Sequence, residues 1–426
     1  MYYIIETLDQ LKTFYNLNID EAFVEVIPYN SNVHPSLNEV SLVYIRPFND
    51  HKGYMLCINH NETLSINIKH INAVLKNIPK IWVRNKKQFL YYFPLKQTLD
   101  ILFLKDIKIE STNTHNYFYQ KYPNKEDINC IIPVAKHYEL CETAYNQIKS
   151  SIPHHLPEWF EFYNNKVTLA FFGIEKNGIK INKPILDKYY ETDNDYYSIK
   201  DNRIFTQYNL YTTTRRPANS YNNINFAALK KETRSSFIPT GKNTFVEIDI
   251  SAYHPTLAAQ LIDYDFGDKD IHATFAEMYN VDYKTAKELT FKQLYGGVFK
   301  EYAHLEYFKK IQIFIDNAWD TLQYGGYYDC PISKFRYYKD ELENMNPNKL
   351  FNYILQNLET STNTKILLEI HKLLNNKNTK LVLYTYDSFL FDFGPTEKEL
   401  MSNINDIFKK YKLQIKTNIG NTYDFQ

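Results

Sequence analysis

The 426-residue sequence predicts a multidomain protein of mixed α/β and α+β architecture. Three observations carry this expectation. At ~150 residues per domain the length implies two to three domains. Hydrophobic residues make up 44% and charged residues 23%, the balance of a chain that buries several cores. Short β-rich runs recur between stretches of helical periodicity.

Taken in order, Phe23–Ile27, Glu39–Ile45 and Gly53–Ile58 read as strands, 67–78 as an amphipathic helix and Ile81–Val83 as a further strand. Residues 110–135 are polar, contain Pro123 and Pro133, and read as a connection. Lys136–Ser151 has helical periodicity; Pro153 and Pro157 interrupt it. Asn164–Gly178 reads as a helix stopped at Asn177-Gly178, and 189–202 as a polar linker.

Several function classes are excluded. No apolar run reaches the ~18 residues of a membrane span, so no membrane partner is expected. The N-terminal stretch lacks a basic region followed by an apolar one, so export is not expected. Cys57, Cys130, Cys141 and Cys330 are scattered without a CxxC pair, which argues against zinc and against disulfides. A reducing cytoplasm is the expected compartment. With 49 Lys+Arg against 49 Asp+Glu there is no overall basic excess, so a nucleic-acid partner would need local patches.

Three constellations carry chemistry. In Thr244-Phe-Val-Glu-Ile-Asp-Ile the β-rich run places Asp249 near a strand end, with a helix expected from about Pro255. An acid there suits a metal ligand and equally a turn or helix cap. In Leu381–Phe393 two apolar runs flank Tyr386-Asp387-Ser388, a hairpin with Asp387 at its tip. Turn chemistry alone also explains Asp387, and Asp392 reads as a solvated strand residue. The third runs from Asp282, a helix cap, to Gly296-Gly297, a stop. Lys287, Phe291 and Tyr295 fall four apart on one helical face. That face could hold a phosphate, a sugar or base, and a base pair; an amphipathic core helix accounts for the two aromatics equally well and for the lysine, beside the small Ala286, less well. From Tyr211 to Lys242 six basic residues, among them Arg215, Arg216 and Arg234, accompany one acid. This patch suits phosphate contacts or a solvated loop.

The order and spacing of these segments resemble family A DNA polymerases. Asp249, then Lys287-x3-Phe291-x3-Tyr295-Gly296, then Tyr386-Asp387 are similar to that family's motifs A, B and C. Asp201–Asn209, Thr214-Arg-Arg-Pro, Arg234-x-x-Phe-Ile-Pro239, Lys269-Asp-Ile-His272, Gly326-Tyr-Tyr-Asp, Asn352-x3-Gln356 and the closing Asn418–Phe425 match further family segments in the same order. The resemblance covers about 201–426. It implies a polymerase right hand: first palm part 203–262, fingers 263–344, second palm part 345–426. It also implies two-metal nucleotidyl transfer with Mg²⁺, Mn²⁺ being an expected substitute. Asp249, Asp387 and the Ile250 carbonyl would be the metal ligands. Lys287, His272, Phe291, Tyr295, His254 and Lys284 would bind the nucleotide. Arg215, Arg216, Arg234, Asn352 and Gln356 would contact DNA. Partners would be a primed DNA template and dNTPs, with a possible processivity or replisome partner, and the chain would act as a monomer.

Departures from the family pattern shape the expectations. Tyr283 stands where motif B opens with arginine, with Lys284 beside it. His254 replaces the motif A glutamate that excludes the ribose 2′-hydroxyl. Motif C reads Tyr-Asp-Ser in place of His-Asp-Glu. Residues 1–150 resemble the family's RNase H-like 3′–5′ exonuclease with most acidic ligands missing: Glu25 stands alone in Phe-Val-Glu-Val, Asn85-x3-Phe89 lacks its aspartate, and Tyr138-x3-Glu142 ends the set. Residues 151–202 would be a connecting helix and a vestigial thumb, since only about fifteen residues separate Leu186 from Asp201. The expected protein is thus a compact, phage-like DNA polymerase without proofreading, active in the host cytoplasm. Two alternatives are a single-subunit RNA polymerase or primase-like enzyme accepting rNTPs, and a catalytically inactive DNA-binding replication factor.

Overall fold

The computed structural model describes residues 2–31, 33–104, 128–190, 199–219, 224–267 and 269–425. The connection expected at 110–135 lies outside the described residues up to 127, as does the linker expected at 189–202 over 191–198. The chain divides into two compact units, Met1–Phe205 and Thr206–Gln426.

The first unit is built on a mixed six-stranded sheet of β1 (Tyr2–Ile5), β2 (Glu21–Pro28), β3 (Val40–Pro47), β4 (Gly53–Cys57), β5 (Lys80–Val83) and β6 (Leu99–Asp100), in the order β1-β4-β3-β2-β5-β6. β3 pairs antiparallel with both neighbours and every residue of it is buried, as expected of a central strand covered on both faces. α1 (Leu8–Tyr15) and α2 (Ile68–Leu75) bring Leu11, Phe14, Ile71 and Leu75 to the same core as Val24 and Ile45. α1 starts on a capping box in which Thr7 and Gln10 satisfy each other's backbone N–H.

This unit also holds the helices α3 (Lys86–Tyr92), α4 (Val134–Ser151) and α5 (Thr168–Asn177). The helix expected from Asn164 is wound as a π-turn over Phe162–Val167 before α5 begins. There the Asn164 side chain accepts from the Asp100 N–H at 2.8 Å and donates to the Thr98 carbonyl at 3.1 Å, so sheet partners claim it. α5 stops where expected: Gly178 has φ +60°, and a Cβ there would stand 2.9 Å from the Phe205 ring. Residues 199–202 are not linker. β8 (Ile199–Lys200) and β9 (Arg203–Ile204) form a hairpin, and β9 also pairs with β7 (Ile179–Lys180). Asp201 and Asn202 both have positive φ, the pair of conformations a two-residue hairpin turn demands.

The second unit opens with β10 (Tyr208–Asn209) paired to β11 (Ala218–Asn219). Its centre is an antiparallel sheet of β12 (Thr244–Ile250), β15 (Lys380–Thr385), β16 (Ser388–Phe393) and β17 (Ile415–Gly420), in the order β15-β16-β12-β17; a small hairpin of β13 (Tyr327–Asp329) and β14 (Arg336–Tyr338) lies earlier in the chain. Its longer helices are α6 (Tyr253–Leu261), α7 (Ile271–Tyr279), α8 (Tyr283–Gly296), α9 (Glu306–Gly325), α10 (Pro347–Leu373) and α11 (Glu399–Lys410). α6 starts two residues before Pro255 because Ala252, in the left-handed region at φ +47°, turns the chain directly out of β12. Asp392 is buried rather than solvated. It sits on β16, whose residues are all buried, and accepts from the Thr240 N–H and hydroxyl, which a buried carboxylate requires. Among the described residues no helix is long and apolar enough to cross a membrane.

In the first unit Lys87 and Glu175 form a buried ion pair that ties α3 to α5, with the Tyr91 hydroxyl donating to the second carboxylate oxygen at 3.0 Å. Glu175→Ala leaves a buried ammonium without its counter-ion. The expected loss is about 3–5 kcal/mol of unfolding free energy, read from urea denaturation; a loss below 1 kcal/mol would show that Lys87 finds water instead.

Candidate active site

Strand pairing builds the site. β12 lies between β16 and β17, with Asp249 opposite Ser388 on one side and opposite Lys416 on the other. Asp387 lies in the tight turn between β15 and β16. The preceding Tyr386 has φ +63°, and the Asp387 carbonyl accepts from the Ile250 N–H at 2.8 Å. A strand end and a hairpin tip, remote in sequence, are thereby joined by one main-chain hydrogen bond. Both carboxylates line a pocket of about 390 Å³.

The carboxylates are strained electrostatically. Burial, then the charges of Asp387 and Glu247, push Asp249 up to about 6, with Lys287 and Lys416 acting in the opposite direction. Asp387 is also raised, chiefly by burial and then by Glu359, while Arg216 and His254 oppose the rise. Glu247 lies two residues before Asp249 on the same face of β12 and accepts from Ser388 Oγ at 2.8 Å and from Asn418 Nδ2 at 2.9 Å.

α8 supplies the opposite wall. Asp282 caps it, accepting from the Thr285 N–H at 3.0 Å. Lys287, Phe291 and Tyr295 all line the pocket, as their four-residue spacing predicts. Phe291 stacks on Tyr295 with centroids 5.8 Å apart. His272 on α7 packs edgewise on Tyr283 and against Phe291. Burial and then Lys287 hold its pKa down. Its Nδ1 is buried and, among the described residues, has no hydrogen-bond partner.

A chain of hydrogen bonds closes the remaining side. The Tyr295 hydroxyl meets His254 Nδ1 at 2.7 Å, and His254 Nε2 meets Glu359 Oε2 at 2.7 Å. Glu359 Oε1 accepts from Arg216 Nε at 3.0 Å, and the Arg216 guanidinium lies 3.6 Å from the Tyr386 ring centroid. Burial alone would raise Glu359. The His254 hydrogen bond and the Arg216 charge outweigh it and hold the carboxyl below its ordinary value. Glu359 therefore donates nothing, and His254 Nε2 carries the proton between them.

Of the residues predicted from sequence, Asp249, Ile250, His254, His272, Lys287, Phe291, Tyr295, Arg216 and Asp387 border this one pocket. The others lie outside it. Lys284 is exposed on α8. Arg215 is buried at φ +61°. Arg234 donates to the Leu229 carbonyl at 3.3 Å and stacks over Tyr423. Asn352 donates to the Tyr295 carbonyl at 3.0 Å, closing the end of α8, and Gln356 accepts from Thr214 Oγ1 at 3.0 Å. Sequence reasoning missed Glu359, Glu247 and Lys416. For Glu359 a signal existed: it follows Asn352 and Gln356 at helical spacing on α10, so the three share a face. Nothing local marked Lys416, which only β-pairing sets beside Asp249.

The described structure superposes on the solved polymerase domain of Pol1 from M. smegmatis, in complex with a DNA primer–template and dNTP. The TM-score is 0.71 and the identity 11%, over 100% of both chains. The chain has the fold of a DNA polymerase domain. No protein-family model matches the sequence, and no curated protein matches it. At 11% identity the likeness lies in the backbone and not in the residues.

The raised Asp249 has a stability consequence. A carboxyl at about 6 in the folded chain, against an ordinary 3.8, binds more protons in the native than in the unfolded state between pH 4 and 6. Its contribution therefore favours folding at low pH and turns against it as pH rises through 6. Asp249→Asn removes that dependence. Its melting temperature should exceed wild type at pH 7.5, and the difference should shrink by pH 4.5; an equal difference at both pH values would refute the assignment.

Proposed function

We propose that this chain is a template-directed DNA polymerase, adding dNTPs to a primer 3′-hydroxyl. The observation that supports this most is the convergence of Asp249, Asp387, Lys287 and His272 on one pocket, in a fold shared with a polymerase domain bound to primer–template and dNTP.

The donor set suits a hard divalent cation such as Mg²⁺: two carboxylates and the Ile250 main-chain carbonyl, all oxygen. Among the described residues no cluster of three or more His, Cys, Asp or Glu side chains could hold a metal, so remaining ligands must come from water and substrate oxygens, as Mg²⁺ prefers. Burial raises Asp249 most, and the repulsion from Asp387 that adds to it is what a cation between the carboxylates would relieve. Bound divalent ions would supply activation of the primer hydroxyl and charge neutralisation at the leaving pyrophosphate.

The chain's own residues do the rest. Lys287 neutralises charge on the triphosphate. His272, which borders the pocket with Lys287, would contact the phosphate chain. Phe291 and Tyr295 form a flat wall against the sugar and base. His254, clamped between Tyr295 and Glu359, faces the nucleotide from the position where the family carries a glutamate. Arg216, oriented by Glu359 and Tyr386, meets the duplex.

The first unit reads as an exonuclease-like domain that no longer excises. Its Glu25 carboxylate is ion-paired with Arg84 in a pocket of about 40 Å³, so a guanidinium neutralises the acid that a metal would need. Residues 151–202 would then serve as connecting helix and vestigial thumb, 203–262 and 345–426 as palm, and 263–344 as fingers. The chain would work in the cytoplasm as a monomer.

Primer extension with Mg²⁺ on a primed DNA template tests this directly. Wild type should extend with dNTPs, and Asp249→Ala and Asp387→Ala should each fall by about 10³-fold or more, the scale of losing electrostatic stabilisation at the reacting centre. Absence of extension by folded, DNA-binding wild type would refute the proposal. Offering rNTPs beside dNTPs decides the sugar: comparable use of both would favour the primase-like reading. A 3′-mismatched, end-labelled primer should stay intact when nucleotides are withheld; its shortening would refute the loss of proofreading.

A further inference from the structure

The pocket contains a second ammonium to which the polymerase reading gives no role. Lys416 on β17 stands opposite Asp249 in the strand register and borders the same pocket as Lys287. Asp249 is thereby bracketed, with the Asp387 turn on the β16 side and Lys416 on the β17 side. The start of β17 is stapled in place. The Gln414 carbonyl accepts from the Ser251 N–H at 2.9 Å, and the Gln414 side-chain amide donates to the Lys269 carbonyl at 2.9 Å. Lys269 belongs to the segment that leads into α7 and His272, so Lys416 is anchored toward the His272 wall.

The pocket's three long cations are not equivalent. Arg216 is engaged by Glu359 and Tyr386, on the side of the hairpin turn. Among the described residues the ammonium groups of Lys287 and Lys416 make no hydrogen bond or ion pair. Both act electrostatically on Asp249.

A charge count says what two free ammoniums would meet. A nucleoside triphosphate carries about −4, two divalent ions add +4, and Asp249 with Asp387 adds −2, which leaves about −2. Lys287 cancels half of that remainder. One further cation is needed, and Lys416 is the free one bordering the pocket. A primer phosphate is the competing source of negative charge. Arg216, the candidate contact to the duplex, lies across β12 from Lys416, which assigns Lys416 to the nucleotide.

We propose that Lys416 is a second triphosphate-binding residue, forming with Lys287 a two-ammonium clamp on the phosphate chain of the incoming nucleotide. This rests on the polymerase reading for the identity of the nucleotide, but the anion site stands on the two lysines themselves.

The test uses the full chain and three variants: Lys416→Gln, Lys416→Glu and Lys416→Arg. Inorganic tripolyphosphate binding is measured by calorimetry in EDTA, without metal. The KM for dNTP is measured in primer extension, and primer–template affinity by fluorescence anisotropy. Lys416→Gln should weaken tripolyphosphate binding and raise the dNTP KM by about tenfold each, the scale of one lost charge-assisted contact. Lys416→Glu should lose more, Lys416→Arg should retain most of both, and primer–template affinity should hold. Weaker primer–template binding with an unchanged dNTP KM would place Lys416 on the primer and overturn the proposal. Unchanged tripolyphosphate binding in Lys416→Gln and Lys416→Glu, both folded by circular dichroism, would overturn it as well. Wild type that extends no primer, yet binds tripolyphosphate in a Lys416-dependent way, would sink the polymerase reading and uphold the anion site.

Discussion

Two carboxylates held together in a partly buried pocket are an electrostatic cost, and the second unit is arranged around that cost. Asp249 and Asp387 come from segments more than a hundred residues apart, and the Ile250 N–H to Asp387 carbonyl bond fixes their separation. Each neighbouring element then brings a compensating charge. α8 contributes Lys287, β17 contributes Lys416, and Arg216 and His254 act on Asp387. Under the proposed function such a pocket would hold cations between the acids and anions along the lysines. That is the combination nucleotidyl transfer requires.

Glu359 extends the same logic into the interior. It is buried on α10 yet ionised, because His254 and Arg216 hydrogen-bond to its two oxygens. Through it, the guanidinium stacked on the hairpin turn, the histidine of α6 and the tyrosine of α8 are members of one network. A change at any of them is felt at the others, since a half-satisfied buried network costs more than an apolar one. Asn352 and Asn348 add a second tie by donating to the carbonyls of Tyr295 and Gly296 at the end of α8. α8 is thus anchored at its C-terminal end, while Tyr283 in its first turn packs on His272.

Much of this was legible in the residues. Strands such as Thr244–Ile250 and Ser388–Phe393 announce themselves by β-branched and aromatic runs, and α8 by its cap, its periodic face and its glycine stop. The site was legible wherever the chemistry sits at a local signal: an acid at a strand end, an acid at a hairpin tip, a lysine breaking an apolar face. Where a residue's setting depends on remote packing, reading failed. Asp392 looks solvated in an alternating strand but is buried, because β16 is covered on both faces. Asn352 and Gln356 have partners that their spacing did not announce, the Tyr295 carbonyl and Thr214 Oγ1.

By itself, the sequence determined the periodicities, the turns and the order of the motifs, because these depend on neighbours one to four residues away. Only the tertiary structure decided which charges meet. The β12–β17 register sets Lys416 opposite Asp249, the packing of α10 buries Glu359 between His254 and Arg216, and Arg84 lies on Glu25 in the first unit. Electrostatic partners are chosen by distance through space and by the local loss of water, and neither quantity is written in the spacing of residues along the chain.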